Sequence, residues 1–167
     1  MLAFGCSHTY GVGVAVDETW PYYLRAMNFG VPGCSSDLII RTMPAILDRY
    51  TPKVVFILWP DWTRFEIGTI QSLPTDKNRI HYMKDHDESW LKNNFKQRVA
   101  QANAICENKG IKLVDMTLSD LIPYIDYPDK WPLSKLGHHF NNIWHNQVAT
   151  IFNNALLYNI KHPLSNE

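Results

Sequence analysis

The stretch Leu2-Ala3-Phe4-Gly5-Cys6-Ser7-His8-Thr9-Tyr10-Gly11 decides how the rest of the chain is read. Its apolar start, bounded by glycine, suits a short strand buried on both faces, and Gly5, Gly11 and Gly13 supply the backbone freedom for a sharp strand-to-helix turn. Such a turn is expected to lift Ser7 from the sheet edge toward solvent. A serine hydroxyl attacks carbonyls poorly at neutral pH unless an imidazole within hydrogen-bond reach takes its proton, and that imidazole usually comes from a distant segment. Gly137-His138-His139, near the other end of the chain, supplies one. Ser7 and His139 are therefore a candidate nucleophile and base. The same residues also read as a plain βα connection in which a serine caps a helix.

Three further apolar runs, Ala26 to Phe29, Lys53 to Trp59 and Ile111 to Asp115, have the length and bounds of buried parallel strands. Between them lie helical patterns. Thr19-Trp20-Pro21 opens one through Leu24, with proline tolerated in the first turn. Asp37 to Tyr50 reads as a second, kinked or restarted at Pro44. Glu88 to Asn108 carries the stripe Leu91, Phe95, Val99, Ala102 and Cys106, with Gly110 as its stop. A final stripe, Phe140, Ile143, Trp144, Val148, Ile151, Phe152 and Ala155, makes the last helix amphipathic. Alternation of this kind predicts a three-layer, doubly wound α/β domain with a short central parallel sheet, right-handed crossovers, and a site at the carboxyl ends of its strands. Residues 60–87 are long for a loop and are expected to form a flap over that site or an insertion with its own short structure.

The chain has 167 residues, 46% of them hydrophobic, which fits one domain over residues 1–167 with room for a core. Lys plus Arg equals Asp plus Glu at 16 each, so nothing in the charge recommends a nucleic acid or an anionic membrane as partner. No apolar run approaches a membrane span and no signal-type segment opens the chain. Cys6, Cys34 and Cys106, an odd number without metal-ligand spacing, fit reduced thiols, and a cytoplasmic location is the expectation. His81, Asp85, His86 and Asp87 are metal-capable, but no helix fixes two of them on one face, so a solvated loop is the expectation and no metal or other cofactor is assigned. Trp59, Trp62, Trp90 and Trp131 are candidates for a groove that stacks sugar rings or acyl chains, against the ordinary expectation that most aromatic residues are core.

Taken together, these residues resemble the SGNH hydrolases, the GDSL-like lipases and acylhydrolases. Gly5-Cys6-Ser7 corresponds to the family's Gly-Asp-Ser block, with cysteine in place of aspartate. Asn28-Phe29-Gly30-Val31-Pro32-Gly33-Cys34-Ser35 is similar to its second block, which implies that the Gly33 N–H helps hold an oxyanion. Trp59-Pro60-Asp61-Trp62 falls at the Gly-x-Asn-Asp block. An ionised Asp61 would repel the oxyanion that an asparagine amide serves, which makes Arg64 a substitute donor. Arg64 and Glu66 also read as an ordinary ion pair near the rim. Aligning the family's Asp-x-x-His on His139 puts Leu136 at the aspartate, leaving Asp126, Asp129 or a backbone carbonyl to hold the ring. His138 is the alternative base, and His145 is expected to be structural. The resemblance implies an SGNH/flavodoxin-like fold. It also implies a serine esterase or acylhydrolase of small acyl esters, such as acetylated carbohydrate, without cofactor and with no nucleic acid or membrane partner. The alternative, drawn from Leu136 and Asp61, is a weakly active or inactive binding protein of the same fold.

Overall fold

A computed structural model of the chain describes residues 1–67, 70–72, 87–121 and 139–159. Four parallel strands, β1 (Leu2–Gly5), β2 (Met27–Gly30), β3 (Val54–Trp59) and β6 (Lys112–Thr117), form a sheet in the order β2-β1-β3-β6. Two short antiparallel strands, β4 (Phe65–Ile67) and β5 (Ile70–Ser72), pair separately within the segment expected to be a flap or insertion; residues 73–86 of that segment lie outside the described residues.

Side-chain alternation along the strands sorts the core into two layers. Leu2, Phe4, Val55, Ile57 and Trp59 point to one face, where they meet Ile39, Met43 and Leu47 of helix α3 (Ser36–Tyr50) and Phe95, Val99, Ala102 and Cys106 of helix α4 (Glu88–Asn108). Ala3, Phe56, Leu58 and Val114 point to the other, against Trp20 of helix α2 (Trp20–Tyr23), Leu121 of the short helix α5 (Leu118–Leu121) and Trp144, Val148, Phe152 and Ala155 of the last helix, α6 (Asn142–Tyr158). A strand buried on both faces needs apolar residues at every position, which is why these runs are continuous rather than alternating. The helix between β1 and β2 lies on one face, and those leading from β2 to β3 and from β3 to β6 lie on the other. Since the first connection runs along the sheet opposite to the other two, a single handedness requires this distribution. The three-layer doubly wound architecture expected from the sequence is the one observed.

Boundaries moved by a residue or two, for local reasons. Ala26 is drawn out of β2 because its N–H closes the end of α2 on the Pro21 carbonyl, so pairing starts at Met27. Met116 and Thr117 extend β6 because Leu58 and Trp59 of β3 are there to pair with them. Helix α3 neither stops nor restarts at Pro44 and runs as one element, its start capped by the Ser35 hydroxyl accepting from the Leu38 N–H. Asp87, considered as a metal ligand, instead caps α4 by accepting from the Trp90 N–H.

The element that positions the first loop is the four-residue helix α1 (Ser7–Tyr10), folded down onto the end of β2. Gly30 makes this approach feasible: a Cβ there would lie 2.3 Å from the Tyr10 nitrogen and 2.8 Å from the Thr9 carbonyl carbon. Asn28 completes the clamp. Its amide nitrogen donates to the Thr9 carbonyl at 2.8 Å and its oxygen accepts from the Gly30 N–H at 2.9 Å. Gly5 is equally constrained, with φ +155° and a virtual Cβ 2.6 Å from the Leu58 carbonyl oxygen. Gly30→Ala is expected to destabilise the protein by about 1–3 kcal/mol, since the obstructing atoms are backbone and cannot rotate away. Urea unfolding of the variant beside the parent checks this, and an unchanged midpoint would contradict the clamp.

Candidate active site

All four strands of the main sheet run parallel, so the segments that follow β1, β2 and β3 emerge on one edge, with β1 in the middle. Ser7 follows β1. The turn holding Gly33 follows β2 and is tied to the end of β1, where the Gly5 carbonyl accepts from the Val31 N–H at 2.9 Å and from the Cys34 thiol at 3.1 Å. The turn holding Asp61 and Arg64 follows β3. The three segments singled out from the sequence are thus neighbours for a topological reason.

Ser7 does not stand out into solvent as the sequence suggested; only 8% of the residue is exposed. The clamp of α1 onto Asn28 and Gly30 holds its helix down against the sheet edge. Nor is Ser7 a cap. It is the first residue of α1, Cys6 occupies the cap position, and no side chain bonds the freed N–H groups there. The Ser7 hydroxyl lies 4.0 Å from the Cys6 sulfur. Among the described residues, neither the Ser7 N–H nor the Gly33 N–H has a hydrogen-bond acceptor within the protein.

His139 stands just ahead of α6, and its ring meets that of His8 at 5.3 Å between centroids. His8 also packs against Phe140 at 4.8 Å and Trp144 at 5.7 Å. The residue next to Ser7 and the segment carrying His139 are therefore in contact, although they are far apart in the chain. Leu136, His138, Asp126 and Asp129 lie outside the described residues.

His8 was not singled out by sequence reasoning, although its place beside Ser7 was a signal available there. Burial pushes its pKa down to about 3, helped by His139, Arg64 and His145, so its ring is neutral at physiological pH. Its buried Nδ1 has no hydrogen-bond partner among the described residues.

Asp61 is exposed and builds its own turn. Its Oδ1 accepts from the Thr63 N–H at 2.8 Å and from the Thr63 hydroxyl, and its carbonyl accepts from the Arg64 N–H at 3.0 Å. This Asx-type turn directs the chain at Arg64. The ion pair between Arg64 and Glu66 read from the sequence does not form: Arg41 of α3 takes Glu66 through two hydrogen bonds, 3.0 and 3.3 Å. Arg41 lies one α3 turn beyond Asp37, whose other oxygen accepts the Glu66 N–H, so the arrangement of α3 against β4 selects it. Asp37 in turn pairs with Arg98 at 2.6 Å.

Other candidates fall elsewhere. Trp59 is core, 1% exposed, with its indole N–H on Asp115 at 2.7 Å, and so cannot line an open groove. Trp62 is half-buried beneath the Lys92 ammonium, Trp90 is 38% exposed, and Trp131 lies outside the described residues. His81, Asp85 and His86 also lie outside them, and among the described residues no three His, Cys, Asp or Glu side chains gather as a metal site. Among the described residues no helix is long and apolar enough to cross a membrane. All three cysteines are buried free thiols, and burial pushes Cys34 and Cys106 up to about 12.

His145 is structural, as expected of a lone helical histidine. It is 1% exposed and its Nδ1 accepts the Trp20 N–H at 3.2 Å, joining α6 to α2. Burial lowers its pKa from 6.5 to about 4. The unfolded chain therefore binds a proton between those values that the folded chain refuses. The stability this ring contributes is complete above pH 6.5 and is lost as pH falls toward 4. Denaturant midpoints measured across that range are expected to fall with pH, and to fall less steeply in His145→Gln, whose amide oxygen can still accept from Trp20. An equally steep fall in the variant would assign the effect elsewhere.

No family model matches this chain, and no curated protein matches it. Solved structures do. The psychrotrophic esterase EstA from Pseudoalteromonas sp., in a form inhibited by monoethylphosphonate, superposes with a TM-score of 0.57 at 13% identity, over 94% of this chain and 96% of that one. A protein of Desulfitobacterium hafniense DCB-2 assigned to the lipolytic G-D-S-L family gives a TM-score of 0.49 at 15% identity, over 91% and 95% of the two chains. The chain shares its fold with the EstA esterase, in a sequence that has diverged from it.

Proposed function

We propose that this protein is a serine ester hydrolase in which Ser7 is the nucleophile and His139 the general base, acting on a small acyl ester such as an acetylated carbohydrate. The observation that carries the reading is the contact of His8 with His139, which brings the first loop and the approach to α6 to one place over the edge of the sheet. In the reaction the Ser7 oxygen attacks the ester carbonyl carbon while His139 accepts its proton. The N–H groups of Ser7 and Gly33, free of acceptors among the described residues, are suited to receive the oxygen that becomes negative. Collapse expels the alcohol, which takes the proton from His139. Water then attacks the acyl-Ser7 ester with His139 again as base, releasing the acid. Asp61 shapes the turn that carries Arg64 and donates nothing to the oxyanion; Arg64 belongs to the substrate-binding set. EstA is an esterase, shares the fold and is inhibited by a phosphonate, which supports both the reaction class and the probe below.

A second reading, a weakly active or inactive binding protein, draws on the Ser7 hydroxyl facing the Cys6 sulfur. A fluorophosphonate followed by intact mass separates the two. A single adduct that disappears in Ser7→Ala, with His139→Ala slowing turnover of short p-nitrophenyl esters by about 10²–10⁴, is the expected result. Absence of both labelling and turnover would leave the binding protein, and labelling that persists in Ser7→Ala would remove Ser7 as nucleophile.

A further inference from the structure

Arg64 holds a charge that the fold does not answer. Its Nε and Nη1 are buried, and neither has a hydrogen-bond partner among the described residues. Arg64 as a whole is half-buried, but N–H donors buried without acceptors are costly. The carboxylates nearest in sequence are committed. Glu66 is held by Arg41, Asp37 by Arg98, and Asp61 by its own turn with Thr63. The turn that carries Arg64 follows β3, the parallel neighbour of β1, and so emerges beside the Ser7 loop at the same edge of the sheet; in keeping with this, the guanidinium charge helps lower the pKa of His8 and acts on the Cys34 thiol.

We infer that Arg64 is the receptor for an anionic group, so that the ligand of the Ser7 site carries a carboxylate or phosphate near its scissile ester. This deepens the hydrolase reading by naming the substrate class, and it rests on that reading for where the ligand sits. A neutral acyl sugar offers hydroxyl and carbonyl acceptors to the Nε–H and Nη1–H groups but leaves the charge unneutralised, whereas an oxyanion accepts from both with charge-assisted bonds. Arg64 is thus a specificity-determining residue, and its contribution should appear in binding without any chemistry.

The test uses full-length Ser7→Ala protein, in which no turnover can occur, titrated calorimetrically with benzoate and phenyl phosphate against the neutral isostere benzamide. Either anion is expected to bind at least roughly tenfold more tightly than benzamide. That preference should disappear in Ser7→Ala/Arg64→Gln and survive in part in Ser7→Ala/Arg64→Lys, which keeps the charge and loses the planar fork. The anions should also raise the melting temperature of the Arg64 protein and not that of the Gln variant. Benzamide binding as well as the anions, anion binding unaffected by Arg64→Gln, or no anion binding at all would each overturn the inference. If Arg64→Gln fails to fold, an anion preference that is undiminished in Arg64→Lys overturns it instead. The relative strength of benzoate and phenyl phosphate tells which anion the site takes. Loss of fluorophosphonate labelling would sink the hydrolase reading while leaving this titration intact, so the two failures are distinguishable.

Discussion

The architecture of the site depends on one close backbone approach: α1 lies on the end of β2 with no side chain between them, because Gly30 has none to offer. Asn28 turns that clearance into an attachment by bonding both elements at once. With α1 held there, Ser7 has a defined place at the centre of the sheet's carboxyl edge. The turn after β2 is drawn onto the same spot through the Gly5 carbonyl, which accepts from Val31 and Cys34. Steric exclusion and a few buried hydrogen bonds thus do locally what a large core cannot, since hydrophobic burial is nondirectional.

The core supplies the complementary constraint. Two apolar layers, one on each face of the sheet, bring α6 against α2, and Trp20 is the hinge of that contact. Its ring stacks on Phe152 at 4.8 Å and its backbone N–H is taken by His145. Packing α6 there carries the residues just before it, His139 and Phe140, over to His8. A helix whose apolar stripe is read as ordinary core therefore also delivers a candidate base. The same packing explains the two depressed histidine pKa values, because both rings lie among aromatic and apolar neighbours that disfavour a proton.

Electrostatics around the site follow a division of labour. Arg41 joins α3 to β4 through Glu66, and Arg98 joins α4 to α3 through Asp37, so the carboxylates of that region are used for structure. Arg64 is left with two buried donors, Nε and Nη1, that have no partner among the described residues. Among the described residues, the structural roles of Arg41, Arg98, Glu66, Asp37 and Asp61 are what make Arg64 conspicuous.

Much of this was legible in the residues themselves. The continuous apolar runs of β1 and β3 mark strands buried on both faces, whereas the similar run from Ala26 to Phe29 forms the exposed to half-buried edge strand β2; the stripe from Leu91 to Cys106 marks a helix whose limits matched the observed Glu88–Asn108. The order of these elements implied a doubly wound sheet and, with it, a site at the ends of the strands. Local pattern could not say that Ser7 would be folded under, because that depends on a glycine twenty-three positions away in another strand. It could not say that Trp59 belongs to the core, that Glu66 would choose Arg41 over Arg64, or that His8 would meet His139. Sequence determines periodicity and turn chemistry, which act between near neighbours; partner choice among charges and rings is decided by distances that exist only once the layers have packed.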